Sequence, residues 1–350
     1  MRAFNYSLIR ERKWDSELLG YIAAIYKEVG KQEVFLKQRP EELEKLADIA
    51  KVRSTEASNA IEGIATTSTR IRQLVEGKTT PRNRNEQEIA GYRDALGVIY
   101  ESFGVTSITQ DFVLRLHKTL YSHTNNPIAG KIKTVQNYIN ATFIDGHAET
   151  RFTPLSPSET SEALDRICDE YNRVTGNMEV EPLIAIPVFI HDFLCIHPFS
   201  DGNGRISRLL TTLLLYRNGF YVGKYISLEA EITGHEDLYY DALAASQIGW
   251  HEGTDDPVPF IKYLLSTILA AYRDFEDRFA LVEVKRSALD TVRLAAQNRI
   301  GRFTKQDIRE LCPSLSLSSV EGSLRKMVEL GELQREGNGK STFYIRKKII

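Results

Sequence analysis

The sequence predicts a mainly α-helical protein with one β-hairpin set between helices and a small C-terminal unit of three helices and a second hairpin. Apolar residues recur at three- and four-residue spacing over long stretches, and Gly and Pro mark the breaks between them. Only two segments depart from that rhythm, one from Gly130 to Pro154 and one after Gly331. With 42% hydrophobic and 26% charged residues, the chain lies outside the low-apolar, high-charge class of disordered proteins. Its 350 residues accommodate one large domain and a small one.

Helical stretches are expected from about Pro40 to Ile61 and from Glu86 to Phe103. A third starts at Thr109 and carries Phe112, Val113, Leu116 and Leu120 on one face. Lys131 to Ile139 then alternates, and Asp145-Gly146 is a turn dipeptide, so Gly130 to Pro154 is predicted as a β-hairpin resting on its helical neighbours. Ser156-Pro157-Ser158-Glu159 opens the next helix, with Ser at the cap and Pro at the first helical position. The apolar run Leu183 to Ile190 predicts a buried helix over 182–194, kinked or begun near Pro187, that delivers the chain to His197. A second run, Leu209 to Tyr216, ends at the stop signal Asn218-Gly219. A glycine-rich turn is thereby held between two core helices.

The C-terminal unit has helices expected at about Val284 to Asn298, at Thr304 to Ile308 and at Ser318 to Leu330, followed by a hairpin through Gly331 to Ile345. Three helices and a β wing resemble a winged helix-turn-helix. Between Glu283 and Ile350 stand 14 Lys and Arg against 8 Asp and Glu, a net of +6, which leaves −8 for the remainder of a chain whose net charge is −2. That asymmetry marks 283–350 as a separate unit. Arg325, Lys326, Lys340 and Arg346-Lys347-Lys348 are its candidates for nucleic-acid phosphates, and Ser319 and Ser323 join Arg325 and Lys326 as the groove-facing set of its third helix.

No apolar run approaches the roughly 18 residues that span a bilayer, and Met1-Arg2-Ala3-Phe4-Asn5-Tyr6 lacks a signal-peptide layout. A cytoplasmic protein with no membrane contact is expected. Cys168, Cys195 and Cys312 are odd in number and contain no CxxC pair, so they are expected as buried small hydrophobes. The histidines (His117, His123, His147, His191, His197, His235 and His251) never adopt a metal-ligand spacing such as HExxH.

Chemistry concentrates in His197-Pro198-Phe199-Ser200-Asp201-Gly202-Asn203-Gly204-Arg205-Ile206-Ser207-Arg208. Asp201 offers a hard oxygen ligand suited to Mg²⁺. Gly202-Asn203-Gly204 lets backbone N–H groups approach an anion at a helix start, where unpaired donors and the dipole favour negative charge. Arg205 and Arg208, three apart, carry forked donors that match phosphate oxygens. His197, just before the turn, has a side chain that can accept a proton near neutral pH.

This segment matches the signature HPFxDGNGRxxR of the Fic family at every specified position, and the resemblance extends roughly from Ser54 to Leu265. It implies a Fic-type helical bundle with a β-hairpin flap, and the winged helix is a common appendage in that family. It further implies a protein adenylyltransferase that binds ATP and Mg²⁺ and moves AMP onto a Ser, Thr or Tyr hydroxyl of a protein. By the same resemblance His197 is the catalytic base and Asp201 holds the metal. Gly202, Asn203 and Gly204 steady the α-phosphate, Arg205 meets the β-phosphate region, and Arg208 reaches the γ-phosphate. Phe199 plugs the loop into the core. Tyr239 and Tyr240 resemble the aromatic pair of the adenine pocket, with ordinary helix packing as the other reading. Thr134, Val135, Gln136 and Asn137 would be the edge of the flap that docks the target.

Ser58-Asn59-Ala60-Ile61-Glu62-Gly63 reads on its own as a helix end with Gly at the cap. Beside the Fic motif it resembles the inhibitory helix of that family, in the class that carries its inhibitor N-terminal to the core. Ser58 and Glu62 are then inhibitory: a bidentate Glu62–Arg208 pair would keep Arg208 from the γ-phosphate. The expected division is 1–110 for the N-terminal helical region with the inhibitory helix, 111–270 for the catalytic core and 283–350 for the winged helix. In this family removal of AMP, or transfer of another nucleotide or of phosphocholine, uses the same residues, and the intact motif favours a nucleoside triphosphate. Self-modification and homodimers are common among members. A DNA-binding regulator with a nucleotide-sensing Fic domain is the alternative from another class, with the C-terminal unit contacting DNA or protein.

Overall fold

The protein's structure is a computed structural model that describes residues 2–38, 40–104, 107–142, 148–283, 287–297, 299, 301–339 and 342–346. The expected turn at Asp145-Gly146, His147, and the basic residues Lys340, Lys347 and Lys348 lie outside them.

A short helix α1 (Ser7–Arg10) leads to the long helices α2 (Ser16–Gln38) and α3 (Pro40–Ala60). Next come α4 (Ser68–Val75), α5 (Arg84–Ser102) and α6 (Gln110–Leu120), with Thr67, Asn83 and Thr109 capping their first turns through side-chain oxygens. Strands β1 (Ile139–Thr142) and β2 (Ala148–Phe152) form an antiparallel pair, with Asn140 opposite Thr150 and Ala141 opposite Glu149. Then follow α7 (Pro157–Gly176), α8 (Pro182–Ile196), α9 (Asn203–Arg217), α10 (Leu228–Gly234), α11 (Glu236–Gln247) and α12 (Val258–Glu283).

The hairpin is shorter than the alternation suggested. Residues 131–138, expected as its first strand, are not in a strand. Their polar groups bond elsewhere: Lys133 N–H donates to the Pro198 carbonyl at 2.9 Å, Gln136 Nε2 to the Pro154 carbonyl at 2.9 Å, and Asn137 Nδ2 to the Phe199 carbonyl at 3.0 Å. The Lys133 main-chain N–H is thus used on the loop after α8, and the Gln136 and Asn137 side chains tie the segment to Pro154 and to that loop, so it lies against the main body instead of pairing as a strand. Helix α8 follows the expected span and begins at Pro182, not near Pro187, which lies inside it. Every residue from Leu183 to Ile196 is buried, so the packing of a helix that is apolar but for His191 and Asp192 outweighs one missing backbone donor.

A single hydrophobic core takes in residues from Phe4 to Phe279. Helices α2 and α12 face each other across it, with Phe35 stacked on Phe279 at 4.2 Å. Cys168 and Cys195 lie in this core and Cys312 in the next, all three buried and free. No helix among the described residues is long and apolar enough to cross a membrane.

The C-terminal unit is built from α13 (Ala288–Gln297), β3 (Arg302–Phe303), α14 (Lys305–Leu311), α15 (Leu317–Glu329), β4 (Leu333–Glu336) and β5 (Phe343–Arg346). Strand β5 is central in an antiparallel sheet of order β3-β5-β4. A capping box of Thr304 and Asp307 starts α14. Val292, Phe303, Ile308, Val320, Leu324 and Leu333 belong to its own core. Arg53 of α3 pairs with Glu310 of α14, joining the unit to the main body.

Candidate active site

The turn between α8 and α9 is locked from inside. Phe199 is fully buried and stacks face to face on His117 at 3.8 Å between centroids. Its N–H donates to Asn203 Oδ1 at 2.9 Å, and Asn203 Nδ2 donates to its carbonyl at 2.7 Å. The Asn203 side chain, expected at an α-phosphate, is thus occupied in closing the loop. His117 takes the Gly130 N–H on Nδ1 at 2.9 Å, so Nε2 carries the hydrogen and donates to the Asp201 carbonyl at 3.1 Å. Burial holds this imidazole down to about 4, which keeps it neutral in that role.

His197 caps α8 in the left-handed region, at φ 52° and ψ 63°. Such a conformation is strained for a residue with a Cβ and persists only where the surroundings impose it. Its Nδ1 lies 3.2 Å from the Leu194 carbonyl. A carbonyl only accepts, so Nδ1 carries the hydrogen and Nε2 is left with a free lone pair. Burial pulls the ring down to about 4 against the Leu194 hydrogen bond, which raises it; the Lys133 cation adds to the lowering. At neutral pH the ring is an uncharged proton acceptor.

Asp201 is exposed, with Oδ1 accepting the Gly202 N–H at 2.7 Å and Oδ2 the Tyr121 hydroxyl at 2.8 Å. Gly202 sits at φ 84°, and a Cβ there would press against Tyr121 and Leu120.

The two arginines are turned to different partners. Arg205 is 1% exposed and directed into the bundle, where Nη1 pairs with Glu88 at 2.8 Å and Nη2 donates to the Tyr121 hydroxyl at 2.9 Å. Arg208 points to the end of α3: Nε donates to Ser58 Oγ at 2.8 Å, while Nη2 donates to the Ser58 carbonyl at 2.9 Å and to Glu62 Oε1 at 2.7 Å. The contact with Glu62 is through one oxygen and not bidentate, and Ser58 takes Nε and the second hydrogen of Nη2. Three residues along a helix leave the two side chains only about 60° apart, so what separates them is the elements they meet: α5 and the end of α6 for Arg205, the end of α3 for Arg208.

Glu62 is aimed by the end of α3. The Gly63 N–H bonds the Ala60 carbonyl at 2.9 Å and the Ile64 N–H bonds the Asn59 carbonyl at 2.9 Å, with Gly63 at φ 71°, which is a Schellman ending with Glu62 at the cap. The Glu62 carboxylate lies so close over Gly204 that a Cβ at Gly204 would collide with Oε1. A carboxylate therefore rests on the first turn of α9, where the unpaired N–H groups favour an anion.

Tyr239 is buried against Phe260 and Tyr263, and Tyr240 is 39% exposed beside it at 5.2 Å between ring centroids. Burial raises both hydroxyls, and the charges of Arg208 and Glu62 act on each. Of the expected flap edge, Thr134 and Val135 are exposed, whereas Gln136 and Asn137 are partly buried and bonded inward. In the C-terminal unit Arg325 and Lys326 are exposed on α15, but Ser323 is buried and donates to the Ser319 carbonyl at 2.8 Å. Nearby, Arg293 is engaged by Glu332 and Lys305 by Glu321.

Sequence reasoning passed over Lys133, Glu88, Tyr121 and His117. Glu88 carried a signal, a charged residue one turn before Tyr92 on the buried face of its helix, whereas nothing in the alternation around Lys133 marked it as buried.

Fold and site together define a helical-bundle protein whose histidine-to-arginine turn opens a buried helix facing an anion-binding cradle. Residues 107–215 match the Fic/DOC family, so the chain carries a Fic domain. It is 29% identical over 211 residues to the protein adenylyltransferase fic-1 of Caenorhabditis elegans, covering 59% of this chain and 37% of that protein. It is 28% identical over 169 residues to the protein adenylyltransferase Fic of Nematostella vectensis, covering 47% and 37%. The chain thus spans little more than a third of the length of these curated relatives. Among solved structures, a Fic family protein from Desulfovibrio desulfuricans G20 aligns with a TM-score of 0.63 at 20% identity, over 96% of this chain and 98% of that one. Fic-1 of C. elegans aligns with a TM-score of 0.58 at 22% identity, over 79% and 74%. The fold is that of Fic family proteins.

Proposed function

We propose that the protein is an adenylyltransferase that transfers AMP from ATP to a Ser, Thr or Tyr hydroxyl of a protein, and that Glu62 holds it in check. One observation carries this reading: the Glu62 carboxylate fills the anion cradle formed by Gly204 and Arg208, within the loop-and-helix segment whose His197 presents a bare Nε2. A carboxylate and a phosphate oxygen compete for the same donors.

With Glu62 displaced, the triphosphate of ATP takes its place at the start of α9, and Arg208 turns to the γ-phosphate. His197 Nε2 takes the proton of the target hydroxyl as its oxygen attacks the α-phosphorus. The bond to the β-phosphate breaks and pyrophosphate leaves, with AMP joined to the target oxygen. Gly202 and Gly204 let the backbone approach the α-phosphate. Arg205 acts through Tyr121, which steadies Asp201. Among the described residues no group of three or more His, Cys, Asp and Glu gathers, so a cation at Asp201 would take its other ligands from phosphate and water, a set that Mg²⁺ accepts. Mg²⁺ held there would neutralise phosphate charge. Tyr239 and Tyr240 flank the adenine, and Thr134 and Val135 offer the exposed part of the flap to the target.

On this reading 1–110 is the helical region carrying the brake, 111–270 the catalytic core and 283–350 a winged helix. The exposed Arg325 and Lys326 on α15 support contact of that unit with nucleic acid, which a salt-dependent gel shift tests. The enzyme works in the cytoplasm, and targets include the protein itself or a homodimer partner.

The test is incubation of the wild type, Glu62→Gly and His197→Ala with labelled ATP and a lysate, followed by mass spectrometry. One adenylate added to hydroxyl side chains by Glu62→Gly, and none by His197→Ala, is the expected result. Labelling from GTP, UTP or CTP in preference to ATP would reassign the nucleotide. Release of AMP from modified target by Glu62→Gly, with no transfer, would reverse the direction.

A further inference from the structure

Lys133 is a lysine with 2% of its surface exposed, and the mechanism above makes no use of it. Its ammonium donates to the Ile196 carbonyl at 3.1 Å, and its own backbone N–H donates to the Pro198 carbonyl at 2.9 Å. Those two carbonyls flank His197. The residue between them is held at φ 52°, one of two non-glycine residues with positive φ among those described.

The Ile196 carbonyl belongs to the last turn of α8, whose final carbonyls lack partners within the helix. A cation there is favoured by the helix dipole, and the carbonyl in turn gives the buried ammonium an acceptor. A left-handed histidine relaxes unless its neighbours fix it from both sides. The Phe193 carbonyl accepts the His197 N–H at 2.9 Å from the helix side, and Lys133 supplies the grip from the flap side. Burial pulls the ammonium down to about 8, so it is still largely charged at neutral pH.

We propose that Lys133 is the positioning residue for His197, clamping the strained bend from the flap side so that the imidazole keeps Nδ1 on Leu194 and Nε2 toward the reacting hydroxyl. It touches neither ATP nor target. The flap and the base are thereby mechanically one unit, since the segment that presents Thr134 and Val135 also holds the histidine. The charged groups acting on the ring are Lys133, Glu62 and Asp201.

The proposal rests on His197 being the base, and its test has one arm that does not need turnover. Full-length Glu62→Gly is compared with the same protein carrying Lys133→Met or Lys133→Arg. Lys133→Met is expected to lower kcat at least tenfold with KM for ATP within threefold, and Lys133→Arg to recover kcat to within threefold of the parent. In the second arm, ring NMR of ¹⁵N-histidine protein, assigned against His197→Ala, follows the His197 titration. It should move up toward an ordinary imidazole in Lys133→Met and return in Lys133→Arg. Should Lys133→Met not fold, Lys133→Gln is read in its place by the same criteria. Unchanged kcat and unchanged ring titration in the charge-removed variant, or equal losses with Met and Arg, would overturn it. If Glu62→Gly itself transfers no AMP, the adenylyltransferase reading falls and the ring titration still decides the role of Lys133.

Discussion

The Glu62 carboxylate bonds Arg208 at 2.7 Å while lying directly over Gly204, so a single side chain holds both the cation and the helix start that a triphosphate requires. Glu62→Gly is expected to raise AMP transfer at least tenfold, since a hydrogen bond to a charged group contributes about 1.5–3 kcal/mol. Initial rates with labelled ATP measure it, and equal rates with and without Glu62 would remove the brake.

Ser58 holds Arg208 by its hydroxyl at 2.8 Å and its carbonyl at 2.9 Å. Ser58→Ala removes only the first of these and leaves Glu62 in place. Activation is therefore expected but weaker than in Glu62→Gly, and the double variant should exceed Ser58→Ala. The same rate measurements order the three proteins.

The acid limb of activity follows from the state of His197. Its ring, held down to about 4 chiefly by burial, is neutral at any pH well above that value and becomes protonated only below it. For Glu62→Gly, kcat/KM should stay level from pH 8 to about 6 and fall at lower pH, because this parameter reports the free enzyme. A midpoint near the ordinary histidine value would show the ring to be open to solvent before ATP binds.

Arg205 and Glu88 are a buried pair, at 1% and 4% side-chain exposure and 2.8 Å apart. Glu88→Ala leaves a guanidinium uncompensated inside the bundle, which is expected to destabilise the fold by about 3–5 kcal/mol. A urea midpoint indistinguishable from wild type would show that Arg205 finds another partner.

Glu86 receives Arg70 through Nε at 2.9 Å and Nη2 at 2.6 Å, and the Arg82 N–H at 2.9 Å. Chiefly through the Arg70 hydrogen bonds its carboxyl is lowered from 4.5 to about 2. A carboxyl lowered in the folded state stabilises above its unfolded value, and that contribution disappears as pH falls from about 4.5 toward 2. Glu86→Gln should flatten the acid dependence of the urea midpoint in this window while leaving wild type the more stable at pH 7.

Much of the helical framework was legible because its signals are local. Apolar runs on either side of the glycine turn read directly as α8 and α9, and Thr109, Ser156 and Thr304 marked helix starts by their chemistry. Residues of the turn could be named because they lie within one short segment. What escaped depended on contacts distant in sequence. The alternation of residues 131–139 resembles a strand, yet nothing local shows that the donors of Lys133 and Asn137 go to Pro198 and Phe199. Arg205 and Arg208 looked equivalent until Glu88 and Ser58 met them from different helices. The pairing of α2 with α12 joins the two ends of the main body, and no short-range pattern encodes it.

The Schellman ending of α3 has a further consequence. Because Ser58, Glu62 and Arg208 belong to one covalent chain, the local concentration of carboxylate at that guanidinium is set by helix geometry and is the same however dilute the protein. Dilution leaves the contact intact, whereas fraying the last turn of α3 would loosen it without any change in the residues that meet the nucleotide.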